Sequence, residues 1–99
     1  MGLFPFTLTT MTYLAIDFGG GSGRVIAGTI TNEGGNKKLT MQLVHRFQNR
    51  QVRLGEHVYW DFPALFEDMK TGLRKAAQLG LDVAGIAVDT WGVDFGLID

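Results

Sequence analysis

The sequence predicts an α/β fold with an antiparallel β-meander, a crossover helix and a parallel central strand. Three observations predict it: strand-like apolar runs separated by glycine-rich turns, an amphipathic helical pattern, and a short apolar run after that helix. A chain of 99 residues with 45% hydrophobic and 19% charged residues has room for one packed domain. We expect this domain over residues 11–99, preceded by an unstructured extension at residues 1–10.

The meander is predicted from the first half of the chain. Residues 13–16 form an apolar run too short for a helix, and residues 24–30 form a second strand after a glycine-rich turn. Gly34 and Gly35 tolerate positive φ and indicate a reversal into a third strand. Apolar side chains then recur at alternate positions over residues 39–47, which is typical of a half-buried strand.

The second half of the chain predicts a helix and a parallel strand. Asp61 and Pro63 mark a helix start, and apolar side chains recur at helical spacing over residues 63–79. Gly80 favours a left-handed turn that ends the helix. Residues 83–88 are apolar on both faces, as in a central strand covered by helices, and the helical crossover makes that strand parallel to an earlier one.

Two further segments complete the predicted order. Residues 49–56 are polar and without a period, which indicates a loop, whereas residues 93–98 predict one more strand. The pattern stops in mid-strand, before any element that would cover the second face of the sheet. We therefore expect the chain to be a piece of a longer protein.

Composition and charge exclude several classes of function. Nine Lys plus Arg against ten Asp plus Glu give a net charge of −1, without the basic excess that nucleic-acid binding needs. The absence of Cys, with two distant His, argues against an ordinary zinc site and fits a reducing compartment. No apolar run approaches the roughly 20 residues that span a bilayer, so a membrane is not an expected partner.

A glycine-rich loop follows the first predicted strand. Its small residues, whose backbone N–H groups are free to converge on a phosphate, are Gly19, Gly20, Gly21, Ser22 and Gly23. Asp17 is placed to hold Mg²⁺, and Ser22 and Arg24 offer further phosphate hydrogen bonds. The loop is not a Walker A motif, and because a strand follows it, it is not a dinucleotide fingerprint. A flexible hairpin capped by Asp17 is the alternative.

A second group of residues begins where the predicted parallel strand ends. Ligands of open α/β sheets bind at the carboxyl ends of strands, so we expect Asp17 and Asp89 to face the same crevice. Trp91 is suited to stack on the apolar face of a sugar, while Asp94 and the backbone of Gly92 bind hydroxyl groups. The alternative is a tight turn with Trp91 in the core and the aspartates capping backbone groups.

Other side chains support weaker inferences. His45 is a candidate base, but a lone His in a strand is more often structural. His57, Tyr59 and Trp60 are compatible with either a pocket or a core.

Four segments carry a family resemblance: residues 15–25, 45–47, 59–61 and 85–95. Their order and spacing resemble the amino-terminal part of the rhamnulokinases, a branch of the FGGY carbohydrate kinases. The glycine loop is common to the superfamily, whereas the run Asp-Thr-Trp-Gly-Val-Asp-Phe within the last segment is much narrower and points to the rhamnulose branch. The resemblance implies a ribonuclease H-like, actin-like ATPase fold, present here as the amino-terminal part of the first FGGY domain.

The resemblance also implies an activity. A cytoplasmic rhamnulokinase transfers the γ-phosphate of ATP, with Mg²⁺, to the C1 hydroxyl of L-rhamnulose in L-rhamnose catabolism. Asp17 matches the family's magnesium anchor and Gly92 a sugar-contacting position. The family's ATP-contacting loop falls on Gly20, Gly21, Ser22, Gly23 and Arg24. Rhamnulokinases often carry serine or alanine where Gly20 and Gly21 stand, a difference that loosens the loop and keeps its amides.

The resemblance places the rest of the machinery outside these residues. The family's general base, an Asp, and its adenosine-binding half belong to the remainder of the kinase chain, the expected partner of this segment. We therefore expect no catalytic base here and no turnover by this chain alone. Two alternatives stay open: another FGGY ketose kinase, acting for example on L-fuculose, and a non-catalytic actin-like nucleotide-binding regulator.

Overall fold

The computed structural model describes residues 8–98 as a mixed β-sheet with a helix packed against it. The elements are β1 (Leu8–Phe18), β2 (Ser22–Glu33), β3 (Asn36–Gln48), β4 (Gln51–Leu54), β5 (His57–Trp60), α1 (Phe62–Gln78) and β6 (Val83–Asp89). Strands β3, β2, β1 and β6 lie side by side in that order, and β4 pairs with β5 in a separate hairpin. The predicted α/β class is confirmed.

The antiparallel meander is also confirmed. β1 pairs with β2 along its whole length, and β2 pairs with β3. Gly34 and Gly35 adopt φ values of 59° and 89° in the second turn. The reversal therefore uses the left-handed backbone conformation that favours glycine.

β1 begins earlier than the predicted strand. Residues 8–10 pair with residues 31–33 of β2, so the predicted unstructured extension is wrong at these positions. The side chains of residues 8–10 are exposed, so they show no apolar alternation that would indicate a strand. Backbone hydrogen bonds to β2 hold this part of β1 in place. The remainder of the predicted extension, residues 1–7, lies outside the described residues.

α1 covers one face of the sheet. Its bounds agree with the predicted helix to within one residue at each end. The Asp61 side chain accepts a hydrogen bond from the Ala64 backbone N–H at 3.2 Å, and Gly80 follows the helix at φ 74°. The buried apolar cluster between helix and sheet consists of Leu14, Ile16, Val25, Ala27 and Ala76. α1 is neither long nor apolar enough to cross a membrane.

Gly72 sets how closely α1 approaches the sheet. It is buried within the helix, and a Cβ atom at this position would collide with the side chain of Val25. Val25 is completely buried, with 0% of its surface exposed. Any larger residue at position 72 would push the helix away from β2 and open the core.

β6 is parallel to β1, as predicted, but its predicted central position is wrong in the described part of the chain. β6 forms the edge of the four-stranded sheet. Ile86 and Val88 are each 54% exposed. The apolar pattern shows that these side chains favour burial, but it does not specify which element buries them.

The predictions for residues 49–56 and 93–98 are also wrong. Residues 49–56 contain β4 and the turn into β5, with Gly55 at φ 67°, where a loop was predicted. β4 has only four residues, and most of its side chains are exposed, so it carries little apolar pattern. Residues 93–98 form no strand, since within residues 8–98 their backbone has no partner strand to pair with.

Candidate functional site

The glycine loop is a tight turn between β1 and β2, as predicted. The Gly19 backbone N–H donates to the Ser22 carbonyl at 3.0 Å. Cβ atoms on Gly20 or Gly21 would meet nothing within 4 Å, so both positions present open backbone. At Gly23 a Cβ would collide with the Phe47 ring. Gly23 is therefore required for packing, whereas Gly20 and Gly21 leave the loop accessible to a ligand.

Arg24 joins Ser22 and Asp17 in one polar group beside the loop, by a hydrogen bond to Ser22 and an ion pair with Asp17. Arg24 Nη2 donates to Ser22 Oγ at 3.0 Å, and Arg24 Nη1 lies 3.6 Å from Asp17 Oδ2. Asp17 and Arg24 are register partners on neighbouring strands. Because Ile16 and Val25 point into the core under α1, Asp17 and Arg24 point to the opposite face of the sheet.

The strand register extends this group into a row across the sheet, which we call the charged row: Arg46, Arg24, Asp17 and Asp89. Asp89 lies beside Asp17 in the parallel β1–β6 pair, as expected of two strands whose carboxyl ends meet. Arg46 lies opposite Arg24. Sequence reasoning missed Arg46, because the pairing of β2 with β3 shifts at a bulge between Val25 and Ile26 that no pattern indicates.

The positive half of the charged row adjoins a surface pocket. Gly21, Ser22, Arg46 and Gln48 contribute to the lining of this pocket, whose volume is about 580 Å³. Two arginines directly opposite each other on adjacent strands repel, and an anion between them would relieve that repulsion. The arrangement is suited to phosphate oxygens.

The negative half of the charged row fits a magnesium ion only in part. Within residues 8–98 no three metal-ligating side chains converge. Mg²⁺ in nucleotide sites commonly takes one or two carboxylates and completes its six ligands with phosphate and water oxygens. Asp17 and Asp89 supply only the carboxylates of that donor set.

Trp91 joins the second predicted group to the glycine loop. Its indole Nε1 donates to the Gly19 carbonyl at 2.8 Å. One face of the ring stacks on Trp60, with centroids 4.1 Å apart and planes 6° apart, and Phe18 lies 5.8 Å away. Trp60 Nε1 in turn donates to Asp94 Oδ2. Trp91 is half-buried among these contacts, and Gly92 beside it is exposed.

Asn49 is a second residue that sequence reasoning missed. Its Nδ2 donates to the Gly19 carbonyl, and its backbone N–H donates to the Gly21 carbonyl at 3.4 Å. Its buried Oδ1 has no hydrogen-bond partner within the described part of the chain. An amide in a segment interpreted as a loop gives no sign of these contacts, since they form only when β3 ends beside the glycine loop.

His45 lies on the other face of the sheet, under α1. The Lys75 ammonium group donates to His45 Nδ1 at 2.9 Å, and Phe47 lies 5.7 Å from the imidazole ring. Burial, and then the positive charge of Lys75, lower the pKa of His45 below its ordinary value near 6.5, although Asp68 opposes the shift. These contacts favour the structural interpretation of His45 over a role as a base.

Comparison with known proteins shows the family to which this chain belongs. The chain is 41% identical over 86 residues to a rhamnulokinase of Halalkalibacterium halodurans, which covers 87% of this chain and 17% of that protein. It is 42% identical over 86 residues to a rhamnulokinase of Bacteroides thetaiotaomicron, with the same coverage. It is 40% identical over 89 residues to a rhamnulokinase of Bacillus subtilis, covering 90% of this chain and 18% of that protein. The chain belongs to the rhamnulokinase family. No family model matches it.

The matches confirm the predicted family resemblance over most of the chain. The chain spans less than a fifth of the length of the curated rhamnulokinases that it matches, with 17–19% of each covered. This coverage is consistent with an amino-terminal segment of a rhamnulokinase. The relatives that the chain matches are sugar kinases.

Proposed function

We propose that this chain forms the phosphate-binding loop and part of the sugar site of an ATP-dependent kinase. In this proposal the kinase transfers the γ-phosphate of ATP to the C1 hydroxyl of L-rhamnulose, in the cytoplasm, during L-rhamnose catabolism. The chain then represents the amino-terminal part of the first FGGY domain, with a ribonuclease H-like fold. The charged row beside an open glycine loop is the observation that carries the proposal, because it pairs phosphate-binding groups with carboxylates.

The triphosphate would bind at the positive half of the charged row. The open backbone of Gly20 and Gly21 leaves room for phosphate oxygens, which Ser22 and Arg24 would bind by hydrogen bonds. Arg46 adds a second guanidinium group at the pocket beside the loop. Arginine suits this role, since its planar group binds two phosphate oxygens at once.

Asp17 would hold Mg²⁺, with Asp89 as a second carboxylate or as a partner of its water ligands. The bound ion neutralises charge that develops on the transferred phosphoryl group. The Asp17 carboxylate also forms an ion pair with Arg24, so one side chain would orient both the cation and a phosphate-binding guanidinium. Phosphoryl transfer depends mainly on such positioning and charge neutralisation.

The sugar would bind along residues 91–94. The exposed backbone of Gly92 and the carboxylate of Asp94 are suited to hydroxyl groups. Trp60 covers one face of Trp91, so only the remaining surface of that indole is available to a sugar. The general base that removes the proton from the C1 hydroxyl lies, in this proposal, in the remainder of the kinase, and this chain alone is inactive.

A chimera tests the proposal directly. Residues 11–98 replace the matching segment of the Bacillus subtilis rhamnulokinase, and ADP release is measured with Mg²⁺, ATP and L-rhamnulose, L-fuculose, D-xylulose or glycerol. We expect a strong preference for L-rhamnulose in the chimera and no turnover by the 99-residue chain. Preference for another ketose would overturn the substrate, and ATP binding without sugar-dependent ADP release would favour a nucleotide-binding regulator.

A further inference from the structure

The glycine loop and residues 91–94 are joined at one acceptor, the Gly19 carbonyl. That oxygen accepts from Trp91 Nε1 at 2.8 Å and from Asn49 Nδ2. A carbonyl with two lone pairs is fully used by two donors, so the position of the loop depends on both side chains. Asn49 comes from the end of β3 and Trp91 from the segment after β6, and neither belongs to the loop itself.

Trp91 is in turn held by the β4–β5 hairpin. Trp60, the last residue of β5, stacks on Trp91 with planes only 6° apart and donates Nε1–H to Asp94 Oδ2. The Asp94 backbone N–H donates to the Trp91 carbonyl at 3.2 Å, which closes the turn around Gly92. The segment proposed to contact the sugar therefore has its two ends tied to one side chain, that of Trp60.

The hairpin has its own anchors to the rest of the fold. Arg50 Nε lies 3.1 Å from Asp68 Oδ2 on α1, and the Asp61 backbone N–H donates to the Arg50 carbonyl at 2.8 Å. These contacts hold the two ends of the hairpin together and against α1. These contacts resist movement of Trp60. A displacement of residues 91–94 therefore moves the Trp91 indole and, through its hydrogen bond, the Gly19 carbonyl.

We infer that Trp60 is a positioning residue that couples the sugar segment to the phosphate loop. It holds Asp94 and Trp91 in one arrangement, and in that arrangement Trp91 holds the glycine loop open for phosphate. Sugar bound at Gly92 and Asp94 therefore strengthens ATP binding, and ATP strengthens sugar binding by the same factor, as linkage requires. This inference rests on the proposed function and extends it to residues outside either segment.

The two tryptophans are the only ones in the chain, so spectroscopy reports on this stack alone. We expect two indoles held in one packed arrangement, with centroids 4.1 Å apart, to give strong near-ultraviolet circular dichroism bands. Trp60→Leu weakens these bands and removes the hydrogen bond to Asp94. Trp60→Phe keeps an aromatic stack and loses only that hydrogen bond. Tyr59→Leu is the matched control, because Tyr59 is an exposed aromatic of the same strand that packs on His57.

The coupling is measured in the chimera as the dissociation constant of a non-hydrolysable Mg·ATP analogue, with and without L-rhamnulose, by isothermal titration calorimetry. We expect the sugar to tighten binding of the analogue by about fivefold or more in the unsubstituted chimera and in its Tyr59→Leu variant. In Trp60→Leu this factor falls to about one, and in Trp60→Phe it is intermediate.

The outcomes separate the two proposals. If Trp60→Leu loses these circular dichroism bands but the chimera that carries it keeps the full effect of sugar on binding of the ATP analogue, the coupling role of Trp60 is wrong and the proposed function stands. If the unsubstituted chimera binds the analogue with no effect of L-rhamnulose, the coupling is wrong as well. If the unsubstituted chimera binds neither ligand and shows no turnover, the proposed function fails and the coupling fails with it. Should Trp60→Leu not unfold cooperatively, Trp60→Phe alone decides the test.

Discussion

The two faces of the sheet are built in different ways. Under α1, apolar side chains from β1, β2 and the helix interlock, and Gly72 brings helix and strand into close contact. At the loop end of the opposite face lies the charged row. Residues 91–94 and the β4–β5 hairpin meet the glycine loop through hydrogen bonds and stacked rings, with Trp91 beside Phe18 and Leu65 on the α1 side of the sheet. The apolar core stabilises the fold, and the loop end carries the residues of the proposed site.

This difference shows where substitutions should act. Core contacts are numerous and non-directional, so removing one costs folding free energy in proportion to the volume lost. The contacts of the site are few and directional, so removing one changes ligand affinity or rate with little effect on folding. Variants from each region should therefore separate in stability and activity measurements.

The largest effect on stability is expected at Ile16. Ile16 is 1% exposed, and Ile16→Ala should lower the free energy of unfolding by about 2–5 kcal/mol. The matched control is Ile86→Ala on the neighbouring strand β6, where the side chain is 54% exposed and a loss below about 1 kcal/mol is expected. Urea denaturation of both variants checks the prediction. Equal losses would show that β6 is buried as deeply as β1.

The largest effect on activity is expected at Asp17. In the chimera, Asp17→Ala should lower kcat/KM by about 100-fold or more, about 2.7 kcal/mol, because it removes the proposed Mg²⁺ ligand. Asp82→Ala, an exposed carboxylate after α1, is the control and should leave the rate within about twofold. Near-normal activity of a folded Asp17→Ala chimera would exclude the magnesium role.

A smaller effect is expected at Arg46. Arg46→Gln in the chimera should raise KM for ATP by about tenfold, about 1.4 kcal/mol, because it removes one charge-assisted contact to phosphate. Arg53→Gln, which removes an equal charge from an exposed site on β4, should change KM little. Steady-state kinetics at varied ATP checks this. Identical KM values for ATP in the two variants would show that Arg46 does not contact the phosphate groups.

The smallest expected effect is on the pH dependence of stability, to which His45 contributes. Its pKa is lowered in the folded chain, so the unfolded chain binds the proton more readily. Its contribution to stability is therefore complete above the ordinary value near 6.5 and is lost as the pH falls below it. The fall in Tm from about pH 7.5 to about pH 5.5 should be smaller in His45→Gln than in the parent chain or in His57→Gln. An unchanged pH profile would contradict the shifted pKa.

Local pattern predicted most of the regular structure. The alternation over residues 39–47, the glycine reversal at residues 34–35 and the helical period of α1 all correspond to observed elements. Each of these signals lies within one element, so neighbouring residues are sufficient to reveal it. The predicted half-burial of β3 is wrong for Leu39, Met41 and Leu43, which are 57–70% exposed because no described element covers that face. The sequence did not predict β4, because most of its side chains are exposed and carry no apolar pattern. Residues 93–98 were wrongly predicted as a strand, because an extended apolar segment forms a strand only when it has a partner.

The candidate site was predicted in part. The glycine loop, Asp17 and the run from Asp89 to Asp94 stand out because their residue types are adjacent in sequence. Arg46, Asn49 and Trp60 were missed as site residues, since each acquires its role from a partner far away in the chain. The bulge that aligns Arg46 with Arg24 and the hydrogen bond of Asn49 to Gly19 have no local signature.

The sequence by itself determined most of the elements and the family, because periodicity, turn residues and contiguous motifs act over short range. Only the tertiary structure decided that Arg46, Arg24, Asp17 and Asp89 lie in one row, and that Trp60 and Asn49 hold the loop and the 91–94 segment together. The physical reason is that strand register and long-range packing are properties of the whole folded chain. A shift of one residue in either pairing would send these side chains to the other face of the sheet.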